Sequence, residues 1–336
     1  MKKYALTTVV FLILLSVLVF STPQQEETGP ITLQFSTSAA PTTGHAKAQA
    51  VFKEEIERLT NGRIQVEVFV GSELHTQEAQ QSAVRKGTLD MTYGDPNWFA
   101  EFVPYMSMLA AAYFFKDYEH MTTVLNGEIG KEIYDDMAET MGVRPLGAYF
   151  LGTRNINLRD IGREVRVPAD LKGVKLRMPN SPSWLFMGRA LGANPTPISI
   201  SELYLALKTG TVDGQDNPIP GTIVRKFYEV TKYYILTGHY VNPIMPVINE
   251  KKWQSLGPDL QEKMYAAIDK AREFCDKTIL EEEASGAGFL REQGMIVYEV
   301  DKSVWAKHVQ EYYLNDEEMT STWDMELYNK IQAMAK

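Results

Sequence analysis

The 336-residue chain carries a single cysteine, Cys275, so no disulfide can form within it. Stability must come from a buried core, and a chain of this length can bury a large one. Histidine is scarce: five residues, at 45, 75, 120, 239 and 308, with no spacing that pairs ligands for zinc. Positive charge is in deficit, 34 Lys and Arg against 43 Asp and Glu, which excludes the basic field a nucleic-acid partner needs. There is no glycine-rich phosphate loop and no G-x-S-x-G elbow. Beyond residue 20 no run approaches the ~20 apolar residues of a bilayer span. No catalytic residue, metal site or cofactor is therefore expected. Cys275 falls on the apolar stripe of a predicted helix, where a thiol is buried and inert.

What is present starts with Met1-Lys2-Lys3 and the apolar run Ala5–Phe20. A basic start followed by a short apolar run is the pattern of a secretory signal peptide, here 1–21 with cleavage after Ser21. Export into the periplasm is the expectation. No cysteine follows the run to carry a lipid, and the competing reading is a retained N-terminal anchor. Removing 1–21 takes away two lysines and no acids, which leaves the rest more acidic still.

Alternation predicts strands at Ile31–Phe35, Ile64–Val70 and Leu89–Tyr93. Helical spacing fills the intervals, one helix ending at Asn61-Gly62 and the next running from Glu73 to Gly87. Strands alternating with helices imply a parallel, doubly wound α/β sheet. Gly94–Trp98 reads as the loop after the third strand. A second α/β series is expected to start near Val143–Phe150, and Ser199–Glu202 resembles a capping box. A long helix is predicted from Pro258 to about Ala284, with apolar positions 260, 264, 268, 271, 274, 275 and 279. Glu281–Glu283 reads as a solvated face, and Gly286-Ala287-Gly288 as a segment following the helix.

The stretch Leu171–Pro218 is the most informative. Val174–Met178 alternates apolar and basic residues as a half-buried strand does, and Pro179 ends it. Arg177 thus stands at the end of a strand, where open α/β sheets meet their ligands. Its planar fork of donors suits a carboxylate held by two parallel hydrogen bonds. Val212–Pro218, rich in Asp, Gly and Asn, reads as a turn presenting the Asn217 amide to the same cleft.

The segments KGVKLRMPN, GANPTPIS, SELYLALKTGTVDGQDNP and KFYEVTKYY resemble the extracytoplasmic solute receptors of TRAP transporters, the DctP-like family. The similarity runs from the Ile31 strand to roughly Val300. It implies a two-lobed, periplasmic-binding-protein-like fold (type II-like), with a ligand cleft between the lobes and a long helix crossing both. Mapped onto this chain, lobe I takes 30–151 plus 243–282 and lobe II takes 152–242 plus 283–336. Hinge rotation is then expected near Thr153, Asn242 and Glu282, with ligand alone joining the two walls of the cleft.

The resemblance makes Arg177 the carboxylate clamp, with Arg154 in support, Asn217 as the orienting amide and Asn180 as a weaker member of the set. Asp95 aligns with an acidic position of sialic-acid receptors, and Trp98 with their arginine. Ser38, Ile200 and Ile244 replace their asparagine, phenylalanine and glutamine, so a different ligand is expected. An indole wall beside an acid suits a polyhydroxylated acid; Trp184 is expected chiefly to pack its helix. The function implied is non-enzymatic: a receptor that passes a small organic anion to the membrane permease subunits of a TRAP transporter, touching the membrane only through them. A sugar acid ranks first, a C4-dicarboxylate or 2-oxo acid second and an ectoine-like solute last. The rivals are an enzyme on the same scaffold, for which no catalytic pair is evident, and a sensory receptor presenting its ligand state to a kinase.

Overall fold

The computed structural model describes residues 29–335; the expected export signal at 1–21 lies outside them. Strand β1 (Ile31–Ser36) pairs in parallel with β2 (Ile64–Phe69) on one side and β3 (Met91–Gly94) on the other. The connections run through helices α1 (Gly44–Leu59) and α2 (Gln77–Lys86). Leu33, Phe35, Ile64 and Val66 meet Phe52 and Ile56 of α1 in the core. The α1 terminus is as predicted, Asn61 and Gly62 both having positive φ. Helix α2 starts later than Glu73, because the Thr76 side chain caps it by accepting from the Ala79 amide. The predicted loop at Gly94–Trp98 is a one-turn helix, α3 (Pro96–Phe99), with Pro96 at its first position and Asp95 capping the Asn97 amide.

Two long strands carry the sheet from one lobe into the other. These are β5 (Tyr149–Leu158) and the 17-residue β9 (Tyr233–Asn249), paired antiparallel. The end of β9 bonds β3 and the short β4 (Val143–Pro145), while its beginning bonds β10 (Ile296–Glu299). The second lobe adds β6 (Lys175–Met178), β7 (Asn194–Pro197) and β8 (Gly214–Asn217), giving the order β2-β1-β3-β9-β5-β8-β6-β7. The fold is a two-lobed α/β architecture. The second series does not start at Val143: β4 and the first residues of β5 share the end of β9 with β3, and complete the first half of the sheet. The register shifts between Phe150 and Gly152, where Gly152 has φ +115 and a Cβ would lie 2.6 Å from Pro218. Only glycine fits there.

In the second lobe, helix α4 (Pro182–Ala190) follows the Arg177 strand. The capping box fails. Helix α5 (Leu203–Thr209) has Glu202 at its N-cap with no side-chain bond, and the hydroxyls of Ser199 and Ser201 bond each other instead. The predicted turn before Pro218 is the interior strand β8, held between β5 and β6. Its polar side chains find partners there, Gln215 on Asn157 and Asp216 on Arg154, so tertiary pairing overrides the turn-forming composition. Helix α6 (Ile219–Val224) follows at once.

Helix α7 (Pro258–Glu292) has 35 residues, about 52 Å at 1.5 Å per residue, and extends beyond the expected Ala284. Leu260, Met264, Ile268, Ala271, Cys275 and Ile279 are buried as predicted, whereas Phe274 is 38% exposed and lies off the stripe. Gly286 sits inside the helix, not after it; a Cβ there would lie 2.2 Å from Ile219, so glycine lets α6 pack directly on α7. The triple glutamate is not uniformly solvated either. Glu283 accepts the Thr153 amide at 2.5 Å, and burial raises its carboxyl to about 7. Glu282 is half-buried, with Oε2 unpartnered.

Candidate ligand cleft

Between the lobes a cleft encloses about 920 Å³ of space not filled by protein, its mouth included. Five of the six predicted residues line it: Arg177, Arg154, Asn217, Asp95 and Trp98. Asn180 does not; it is exposed beyond Pro179, which itself lines the cleft. The strand ends at Met178, and the turn into α4 carries Asn180 outward.

Arg177 is 1% exposed and makes one hydrogen bond, Nε to the Ile198 carbonyl at 2.7 Å; its Nη2 has no partner. Burial pushes the guanidinium down to about 9, and the like charge of Arg154 adds to the effect. A buried cation with unsatisfied donors is costly unless an anion meets it.

Arg154 is buried too, but every nitrogen of its guanidinium has a partner. Nε and Nη2 reach the two carboxylate oxygens of Asp216 at 2.7 and 3.0 Å, and Nη1 reaches Asn242 Oδ1 at 3.1 Å. Trp184 lies under its guanidinium at 4.5 Å, and His239 Nε2 sits 3.2 Å from Asp216. Burial alone would raise the Asp216 carboxyl, yet the Arg154 charge overrides this and holds it well below the carboxylate range. Arg154 is thus neutralised by its own network and braces the cleft wall. Trp184 both packs α4 and reaches the cleft, its Nε1 unpartnered. Asn217, at the end of β8, donates to Gln215 Oε1 at 2.5 Å.

Asp95 is buried, and burial raises its carboxyl despite bonds from Asn97. Oδ1 accepts the amide and side-chain nitrogens of Asn97, at 2.8 and 3.0 Å. Oδ2 accepts the Tyr240 hydroxyl at 3.3 Å and the Asn242 side chain. Four donors fill the carboxylate's capacity. Trp98 supplies the indole wall that was expected.

Sequence reasoning missed Arg225, His45, Gln77 and Gln80, all of which line the cleft. Arg225 follows α6 and donates from Nη2 to the Ser38 carbonyl at 3.0 Å. His45 is held down to about 3, by burial and then by the Arg225 charge. No local pattern marks these residues, because helix turns and a loop distant in sequence bring them together. The cleft walls are also joined directly, contrary to the expectation that ligand alone would link them. Besides Arg225–Ser38, the hydroxyls of Ser183 and Ser181 donate to Asn97 Oδ1 and to its carbonyl, at 2.8 and 3.2 Å.

The family model of the bacterial extracellular solute-binding proteins, family 7 (DctP), matches residues 35–319. The chain belongs to this family. A TRAP periplasmic solute-binding protein of Roseobacter denitrificans, solved with bound 3-deoxy-D-manno-oct-2-ulosonic acid, superposes with a TM-score of 0.86 at 36% identity, covering 91% of this chain and 99% of that one. A second receptor from the same species, solved with bound L-galactonate, gives 0.82 at 32% identity over 92% and 99%. The 2,3-diketo-L-gulonate-binding periplasmic protein YiaO of Escherichia coli is 30% identical over 82% of this chain and 83% of its own. The chain is therefore a solute-binding receptor of a transport family that works outside the cytoplasm. Among the described residues no helix is long and apolar enough to cross a membrane.

Proposed function

We propose that this receptor binds a sugar acid in the cleft and delivers it to the membrane subunits of a TRAP transporter. The observation that carries this reading is Arg177: a buried guanidinium with an unpartnered nitrogen at the cleft. A ligand carboxylate would neutralise it through two parallel hydrogen bonds. Asn217 orients that carboxylate, Arg154 braces the wall from its Asp216 pair, and Trp98 gives an apolar face for the carbon chain. Three relatives whose bound or named ligands are sugar acids favour this class over dicarboxylates. Lobe I (30–151 plus 243–282) and lobe II (152–242 plus 283–336) close by rotating about the segments near Thr153, Asn242 and Glu282. The closed form is what the permease recognises. Export through a signal peptide at 1–21 places the receptor in the periplasm.

Isothermal calorimetry with L-galactonate, D-galacturonate, succinate, pyruvate and ectoine tests the reading. Micromolar or tighter binding of a sugar acid, lost in Arg177→Ala, is the expected result. Preference for succinate or ectoine would reassign the ligand, and an undiminished Arg177→Ala would remove the clamp.

A further inference from the structure

The cleft contains a second set of unsatisfied groups, away from the carboxylate clamp. Gln80 is 2% exposed, lines the cleft, and leaves its Oε1 without a partner. Gln77, one turn earlier on α2, leaves its Oε1 unpartnered as well, and so does His45 at Nδ1, in the first turn of α1. The backbone carbonyl of His45 is fixed by the Tyr93 hydroxyl at 2.9 Å, and the two rings meet edge-on at 5.8 Å. These residues belong to one wall, made by the C-terminal end of β1 and the first turns of α1 and α2. Arg225 reaches this wall from the other lobe through its bond to Ser38, the second residue after β1. A guanidinium has five N–H donors, and among the described residues Arg225 makes one hydrogen bond.

We infer that Gln80, Gln77, His45 and Arg225 read the hydroxyl-bearing end of the ligand, and that Asp95 does not. The inference rests on the sugar-acid reading above and assigns its selectivity. The argument is one of complementary capacity. A hydroxyl donates one hydrogen bond and accepts two, so it can satisfy a glutamine oxygen and a guanidinium N–H together. A second carboxylate accepts only; it would meet Arg225 but leave both glutamine oxygens unpaired. A plain hydrocarbon tail would leave all of them unpaired. Asp95 has no capacity left, because four donors already occupy its oxygens. Its network instead fixes Asn97, Tyr240 and Asn242, and so shapes the cleft without reading the solute. Unpaired buried polar groups are what make a hydrogen-bonding site reject an analogue that lacks the hydroxyl.

The test compares three six-carbon acids on the full chain by calorimetry: L-galactonate, hexanoate and hexanedioate, with pyruvate as a short acid that reports the clamp alone. Wild type is expected to rank L-galactonate well above the other two. Gln80→Met, close in volume and apolar, should weaken L-galactonate about tenfold and leave pyruvate unchanged. Arg225→Lys keeps the charge but loses the fork, and should act the same way in the same direction. If Gln80→Met fails to fold by circular dichroism, Gln77→Met serves in its place. Retention of L-galactonate affinity within twofold in these variants overturns the inference. So does a selective loss of L-galactonate in Asp95→Asn. Wild type ranking hexanedioate first would also overturn it while leaving the Arg177 clamp intact. Binding of none of the acids would overturn the receptor reading itself, and the inference with it.

Discussion

Two arginines stand in one cleft, both buried, and they have opposite surroundings. Arg154 meets Asp216, Asn242 and the face of Trp184; Arg177 meets a single backbone carbonyl. The charge of the first is neutralised within the protein, and that of the second is left for whatever enters. A buried ion pair fixes geometry at little net gain, whereas a buried unpaired charge is a liability that an anion converts into affinity. Identical side chains lining the same cleft thus differ in what the protein leaves unpaired, and the proposed roles of brace and clamp rest on that difference.

The sharpest way to break this contrast is to remove each charge in turn. Arg177→Ala should lower sugar-acid affinity on the order of 100-fold or more without lowering the stability of the unliganded protein. Calorimetry and urea unfolding report the two quantities separately. Asp216→Ala should do the reverse of a binding mutant: it strands the Arg154 charge and costs about 3–5 kcal/mol of folding stability, read as a shifted urea midpoint. If Arg177→Ala destabilises the fold as much as Asp216→Ala does, the clamp is a structural arginine and the contrast collapses.

A pH series sharpens the comparison from the strand that carries Arg154. Glu283 holds the amide of Thr153, the preceding residue, and its carboxyl is raised to about 7 against an ordinary 4.5. The native state therefore keeps a proton that the unfolded chain has lost between those values. Its stabilising contribution is complete below 4.5 and fades as pH rises through 7, by roughly 3 kcal/mol. Urea midpoints from pH 4.5 to 8 should fall less steeply, or rise more, in Glu283→Gln than in wild type, the difference being the Glu283 contribution. Asp216, far below that window, should contribute no slope at all. The smallest effect concerns closure. Ser183→Ala loses one bond to Asn97 across the cleft, worth about 1 kcal/mol, and should weaken ligand about fivefold. Small-angle scattering with saturating L-galactonate should still show a reduced radius of gyration.

Much of this was legible in the chain. Alternation located β1, β2 and the Arg177 strand, and the DGQDNP and KFYEV segments carried the family. The sequence misled where local chemistry was outvoted. Val212–Pro218 has the composition of a turn, yet Gly214–Asn217 within it forms the interior strand β8, because Asn157 and Arg154 on β5 satisfy its polar side chains. Phe274 belongs to the predicted helical stripe yet faces outward, since it stands one residue, about 100° of helix, from the buried Cys275. Asn180 lies three residues after the clamp and still misses the cleft.

By itself the sequence determined the fold class, the want of disulfides and of zinc-ligand spacing, and the placing of Arg177 at a strand end, since each depends on periodicity, composition or a contiguous motif. The tertiary structure decided which arginine is free, that Asp95 is fully bonded, and that Arg225 meets the wall made by Gln77, Gln80 and His45. Those facts concern which donors and acceptors remain unpaired, and pairing across dozens to hundreds of residues is a property of the packed chain that no local window contains.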